Sequence, residues 1–276
     1  MTRDAGTTSE PPADTPATDL EPSYVAAGPS DAAPIVFVHG TRLTRTSWTA
    51  QLDALSDAYR VIAMDLPGHG SLAHRSFTLT GAADELARVI ETAAGGRAVV
   101  VGLSLGGYVA MDLASRRPEL IRGLVLSGAT QEPIGLRARP YLALAWAIDR
   151  LGPRGMDRLN RWFFRTRYPP SIADPIISGG FHSAGGSAAL RALVGERFAP
   201  RLAAYPGPVL IVNGQLDVLF RLGARRFAEH ARDVRRVRIA GATHLANLDQ
   251  PDAFTIAVRR FVDGLDDGPG TGPVLD

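Results

Sequence analysis

Residues 102–107 read Gly-Leu-Ser-Leu-Gly-Gly, and the apolar run Ala98-Val99-Val100-Val101 leads straight into them. A serine that closes a buried strand and opens a helix sits on a sharp, strained turn. Glycines on either side, here Gly102 and Gly106, remove the β-carbons that would clash as helix and strand converge. The segment that leaves the turn, LGGYVAMDLASRR (105–117), is helix-competent. The stretch therefore predicts strand, tight turn and helix with Ser104 exposed at the apex, the geometry of a nucleophile elbow.

Working outward, short β-branched runs alternate with amphipathic ones. PIVFVHG (34–40), YRVIAMD (59–65), IRGLVLSGA (121–129), PVLIVNGQLD (208–217) and RRVRIAGATH (235–244) are strand-like. SWTAQLDALSDAY (47–59), TGAADELARVIETAA (80–94), GARRFAEHA (223–231) and PDAFTIAVRRFVDGL (251–265) have helical periods. Unbroken apolar strands separated by helices imply an α/β fold: a mostly parallel, doubly wound sheet covered on both faces. Ligands in such sheets bind beyond the carboxyl ends of the strands. The residues there include His39-Gly40-Thr41, Asp65, Ser104, Asp217 and His244. Serine, aspartate and histidine are the residue types of a nucleophilic triad.

Residues 131–207 interrupt the alternation for longer than an ordinary connection. They contain RPYLALAWAIDRLG and RGMDRLNRWFFRTRYPP, which read as a helical cap inserted over the strand ends. The expected organisation is a core at 24–130 and 208–265, the cap at 131–207, and polar tails at 1–23 and 266–276 expected to be disordered. Only SYVAAG precedes the first long strand, which leaves the sheet edge open.

Composition excludes several chemistries. The chain has no cysteine, so thiol nucleophiles, disulfides and thiolate metal sites are absent. No Walker loop, HExxH or metal-spaced carboxylate cluster occurs, so neither a cofactor nor a metal is implied. All 30 basic residues are arginine, yet the formal net charge is only +2 and no basic, aromatic-interleaved stretch suggests a nucleic-acid groove. No apolar run is long enough to span a membrane, and residues 1–21 lack a signal-like apolar core. A soluble, cytoplasmic protein with a small-molecule substrate is the expectation.

Taken together, VFVHGT (36–41), MDLPGHGS (64–71), GLSLGG (102–107), IVNGQLD (211–217) and GATHLANLDQP (241–251) give the chain a resemblance to the α/β-hydrolase superfamily, in its serine-nucleophile esterase and lactonase branch. The resemblance covers about residues 24–265. It implies Ser104 as nucleophile, His244 as general base and Asp217 as the acid that orients it, with the backbone N–H groups of Thr41 and Leu105 as oxyanion donors. Serine at the elbow, rather than aspartate, separates the chain from the epoxide-hydrolase and haloalkane-dehalogenase branches. His39 and His69 then shape loops, while His74, His182 and His230 fall on the surface or the cap.

The implied activity is hydrolysis of a carboxylic ester or lactone through an acyl-enzyme. Enol-lactone hydrolysis or perhydrolysis uses the same triad, acyl transfer requires a cap that excludes water, and a non-hydrolytic receptor is possible on any fold. Glu132, just after IRGLVLSGAT, is the alternative position for the acid. The cap offers Leu142, Leu144, Trp146, Trp162, Phe163 and Phe164 as apolar surface, with Trp146, Trp162 and Phe163 as candidate pocket walls. Arg42, next to Thr41, either reaches a substrate carboxylate or points to solvent, and solvent is the simpler expectation.

Overall fold

A computed structural model describes residues 22–265. The expected tails lie outside the described residues except for Pro22 and Ser23, and Ser23 is buried, its hydroxyl donating to Glu85 Oε1 at 2.7 Å. The strands are β1 (Tyr24–Ala27), β2 (Pro34–Val38), β3 (Arg60–Met64), β4 (Ala98–Leu103), β5 (Ile121–Ser127), β6 (Pro208–Gly214) and β7 (Asp233–Ile239). Among the described residues they form one seven-stranded sheet in the order β1-β3-β2-β4-β5-β6-β7. Only β1 runs antiparallel to its neighbour; every other pairing is parallel. The SYVAAG segment thus supplies the edge strand.

The helices are α1 (Thr49–Leu55), α2 (Leu79–Ala93), α3 (Leu105–Arg116), α4 (Arg139–Arg167), α5 (Pro170–Gly179), α6 (Ser183–Leu193), α7 (Phe198–Ala204), α8 (Val218–Ala228), α9 (Ala246–Asp249) and α10 (Pro251–Asp263). Strand alternation distributes the core between the two sheet faces. Val36, Val38, Ile62 and Met64 pack with α2 and α3 on one face, and Ile35, Phe37, Val61 and Ala63 pack with α1 and α10 on the other. Burying each valine of β4 is worth about 1.5–3 kcal/mol, and none is more than 1% exposed.

Between β5 and β6 the chain passes through α4, α5, α6 and α7. Helix α4 is two arms joined at Gly152 (φ 66°, ψ 171°) and Pro153, matching the break between the two helical stretches in the sequence. Glycine tolerates that backbone, and proline at the start of the second arm costs no helical hydrogen bond.

Candidate active site

Ser104 follows β4 directly and has φ 50°, ψ −112°, a conformation unfavourable for any residue with a β-carbon. Its N–H donates to Ser127 O at 2.7 Å, which ties the turn to β5. A β-carbon at Gly102 would lie 2.5 Å from the backbone of Gly106, and one at Gly106 would lie 2.2 Å from Val38 O. The elbow therefore depends on both glycines.

Asp217 ends the turn after β6 and His244 lies in the loop after β7. His244 Nδ1 donates to Asp217 Oδ2 at 2.8 Å, and Asp217 is buried while His244 is partly exposed. Asp217 does not cap α8 with its side chain. Glu132 is engaged elsewhere, accepting from Ala199 N–H at 2.9 Å and facing Arg226 at 3.7 Å, so the acid next to His244 is Asp217. Gly128 (φ 57°) makes room for the imidazole: a β-carbon there would lie 2.7 Å from His244 Cε1. The Phe220 ring packs on the imidazole with centroids 4.7 Å apart.

Ser104 and His244 line one cavity of about 630 Å³, together with Gly40, Thr41 and Arg42 on the core side. No direct hydrogen bond joins Ser104 to His244 among the described residues, a spacing common before substrate closes the site. Thr41 N–H and Leu105 N–H enter none of the loop and cap hydrogen bonds, and Leu105, as the first residue of α3, has no intrahelical acceptor. Both amides thus remain unused donors among the described residues.

The inserted helices form the apolar wall. Pro140, Tyr141, Leu144, Ala147, Ile148 and Leu151 reach the cavity from the first arm of α4, and Leu159, Asn160, Trp162, Phe163 and Phe164 from the second. Trp162 and Phe163 are therefore at the cavity, although both remain well exposed. Trp146 is not. It is 65% exposed and lies two residues from Leu144, about 200° around the helix, which turns it away from the cavity face. Leu142 is likewise outside.

The loop carrying Thr41 and Arg42 is held from two sides. Arg42 has φ 66°, and it and Ser104 are the only non-glycine residues with positive φ among the described residues. Its N–H donates to His69 Nε2 at 3.1 Å and its carbonyl accepts His182 N–H at 3.0 Å. Thr41 Oγ1 donates to Gly186 O at 3.2 Å. Burial, reinforced by neighbouring His39, holds His69 down to about 3, so it stays neutral and accepts the Arg42 amide proton while Nδ1 donates to Pro67 O. Burial also lowers His39, whose Nε2 accepts Leu66 N–H at 3.0 Å. Both histidines brace loops, as the PGHG and HG segments suggest. Asp65 does likewise, accepting from Arg45 and Ser71.

Arg42 does not point to solvent. Its side chain lines the cavity, Nε is enclosed, and NH1 donates to Asn160 Oδ1 at 2.9 Å. Asn160 and Phe220 were not singled out in the sequence, and Gly128 was noted only as part of the strand-end stretch Ser127–Thr130. Asn160 had a readable signal, as an uncharged polar residue in the apolar-facing stretch before Trp162-Phe163-Phe164.

Residues 35–257 match the model of the Alpha/beta hydrolase family. The chain belongs to this family. A 2-(acetamidomethylene)succinate hydrolase of Mesorhizobium japonicum is 28% identical over 253 residues, covering 83% of this chain and 87% of that protein. The 3-oxoadipate enol-lactonase 1 of Acinetobacter baylyi is 26% identical over 252 residues, covering 86% of this chain and 91% of that protein. Among solved structures, a thermophilic esterase from Thermogutta terrifontis, malate bound, aligns with a TM-score of 0.74 at 27% identity, covering 88% of this chain and 93% of that one. The α/β-hydrolase fold and the esterase and lactonase character of its relatives agree with the sequence motifs.

Proposed function

We propose that the protein is a serine hydrolase that cleaves a carboxylic ester or lactone through an acyl-enzyme. The observation that carries this reading is the strained Ser104, on the wall of the same cavity as a His244 imidazole fixed by Asp217. Ser104 Oγ attacks the carbonyl carbon while His244 Nε2 takes its proton. The tetrahedral oxyanion is received by Thr41 N–H and Leu105 N–H, each worth roughly 3 kcal/mol in the transition state. Collapse breaks the carbonyl–oxygen bond, and His244 returns the proton to the leaving alcohol. Water then attacks the acyl-serine by the same route, releasing acid and free Ser104. In a lactone the leaving alcohol stays attached to the acyl group.

Asp217 holds the Nδ1–H tautomer, leaving Nε2 to face the serine, and stabilises the imidazolium formed during attack. The α4–α7 segment acts in this reading as a cap that supplies the apolar pocket wall, and the location is cytoplasmic. Relatives that act on enol-lactone and ester substrates support the reaction class. The test is turnover of a panel of esters and lactones by wild type, Ser104→Ala, His244→Ala and the double variant. Each single change lowers kcat by roughly 10⁴-fold or more and the double change adds little, because the residues act as a unit. Multiplying losses, or full activity in Ser104→Ala, contradict the mechanism.

A further inference from the structure

Arg42 carries the one permanent charge among the described residues lining the cavity, whose other walls are largely apolar. No ion pair compensates it within the described residues: its hydrogen-bonded side-chain partner is the neutral amide of Asn160. Its Nε and the Nδ2 of Asn160 have no hydrogen-bond partner among the described residues. A guanidinium removed from water is unfavourable unless an anion and further hydrogen bonds compensate it.

The fold nevertheless directs the side chain inward. The strained backbone of Arg42 is clamped through His69 and His182, and Gly186 of α6 leaves space for its stem, since a β-carbon there would lie 2.3 Å from Arg42 Cγ. An arginine meant for solvent needs none of these accommodations. Burial also holds the guanidinium below its ordinary value, as expected for a cation with no carboxylate beside it.

We propose that Arg42, steadied by Asn160, binds a carboxylate carried by the substrate, so that the preferred esters or lactones bear a free carboxylate near the reacting carbonyl. The inference rests on the hydrolase reading above and narrows its substrate class. Thr41 and Arg42 are adjacent, with α-carbons about 3.8 Å apart, and Thr41 N–H is assigned to the oxyanion. Arg42, Thr41 and Ser104 line the same cavity, so a carboxylate held by Arg42 and the carbonyl under attack share one pocket. The planar guanidinium offers a carboxylate two parallel hydrogen bonds, which a lysine ammonium does not. Leu144, Ile148, Leu159 and Phe163 are left to receive the uncharged remainder.

The experiment compares kcat/KM for the 4-nitrophenyl monoester of glutaric acid with that for neutral 4-nitrophenyl pentanoate, in wild type, R42Q and R42K. Calorimetric titration of each protein with glutarate accompanies it. Wild type prefers the acidic ester, R42Q lowers the acidic-to-neutral ratio by roughly 30-fold or more, chiefly through KM, and R42K falls between. Glutarate binds wild type and not R42Q. A wild-type ratio at or below one, an unchanged ratio in R42Q, or glutarate binding retained in R42Q overturns the assignment. Turnover of neither ester contradicts the hydrolase reading instead, and the glutarate titration then decides Arg42 separately.

Discussion

Among the described residues two non-glycine residues adopt positive φ, Ser104 and Arg42, and both line the cavity that also holds His244. Strain of this kind costs on the order of 1–3 kcal/mol per residue and persists where surrounding contacts enforce it. At Ser104 the N–H hydrogen bond to Ser127 O ties the turn and Gly102 and Gly106 permit the close approach of strand and helix, so Gly106→Ala, which would press a β-carbon to 2.2 Å from Val38 O, destabilises the fold. A urea titration reads the loss as a lowered midpoint. Gly128→Ala acts differently. Its β-carbon would meet the His244 ring at 2.7 Å, so kcat falls by more than the accompanying loss of stability explains. Paired kinetics and thermal melts check this. Asp217→Asn lowers kcat by about 10⁴-fold through the wrong imidazole tautomer. Glu132→Gln, whose carboxylate accepts from Ala199 N–H, alters kcat far less. A severe kinetic effect at Glu132 with a mild one at Asp217 would move the acid. Ser104, Asp217 and His244 were legible because each is a chemically distinctive residue at the end of a strand-like run. Gly128 was not, since its contribution is the absence of a side chain beside a residue distant in sequence.

At the scale of elements, the helices between β5 and β6 line much of the cavity. Helix α4 turns at Gly152, whose ψ of 171° at positive φ is essentially a glycine conformation. Gly152→Ala costs about 1–3 kcal/mol, read as a lower melting temperature. The two helical stretches read from the sequence part at this break, but the helix phase was harder to read. Aromatic residues lie all around α4, so their presence alone does not tell which face is inward. Trp146 illustrates the point, because Leu144, Ala147 and Ile148 hold the inner face and leave it outside. Phe163→Ala accordingly shifts KM for a bulky ester more than Trp146→Ala does, as initial-rate kinetics on both variants will show.

Over the whole molecule, the sheet brings six loops to one end while the inserted helices close over them. Asp249 is one fastening: it accepts Thr243 N–H at 2.6 Å beside His244, and also Tyr168 O–H at 2.9 Å and Arg167 at 2.8 Å from the end of α4. The loop bearing His244 is thus tied to the end of α4. Unbroken apolar runs separated by helical periods made a mostly parallel sheet covered on both faces plain in the sequence, whereas the strand order comes from the structure. The edge strand β1 was less so, because four residues carry little period-2 signal. Buried His69, held down to about 3, gives the molecule an acid sensitivity. It is neutral when folded and takes a proton when unfolded below its ordinary value near 6.5, so stability falls as pH drops from about 6.5 towards 3. The slope is at most about 1.4 kcal/mol per pH unit for this group. Urea unfolding at pH 7 and pH 5 measures it, and His69→Gln, which keeps an acceptor and a donor, flattens the dependence.

The central claim is that Ser104 is an activated nucleophile. Labelling of the intact protein with a fluorophosphonate, followed by peptide mapping, tests it most directly. The account predicts one label, on Ser104, in wild type and none in folded His244→Ala. No label in folded wild type, a label on another residue, or undiminished labelling without His244 would contradict it.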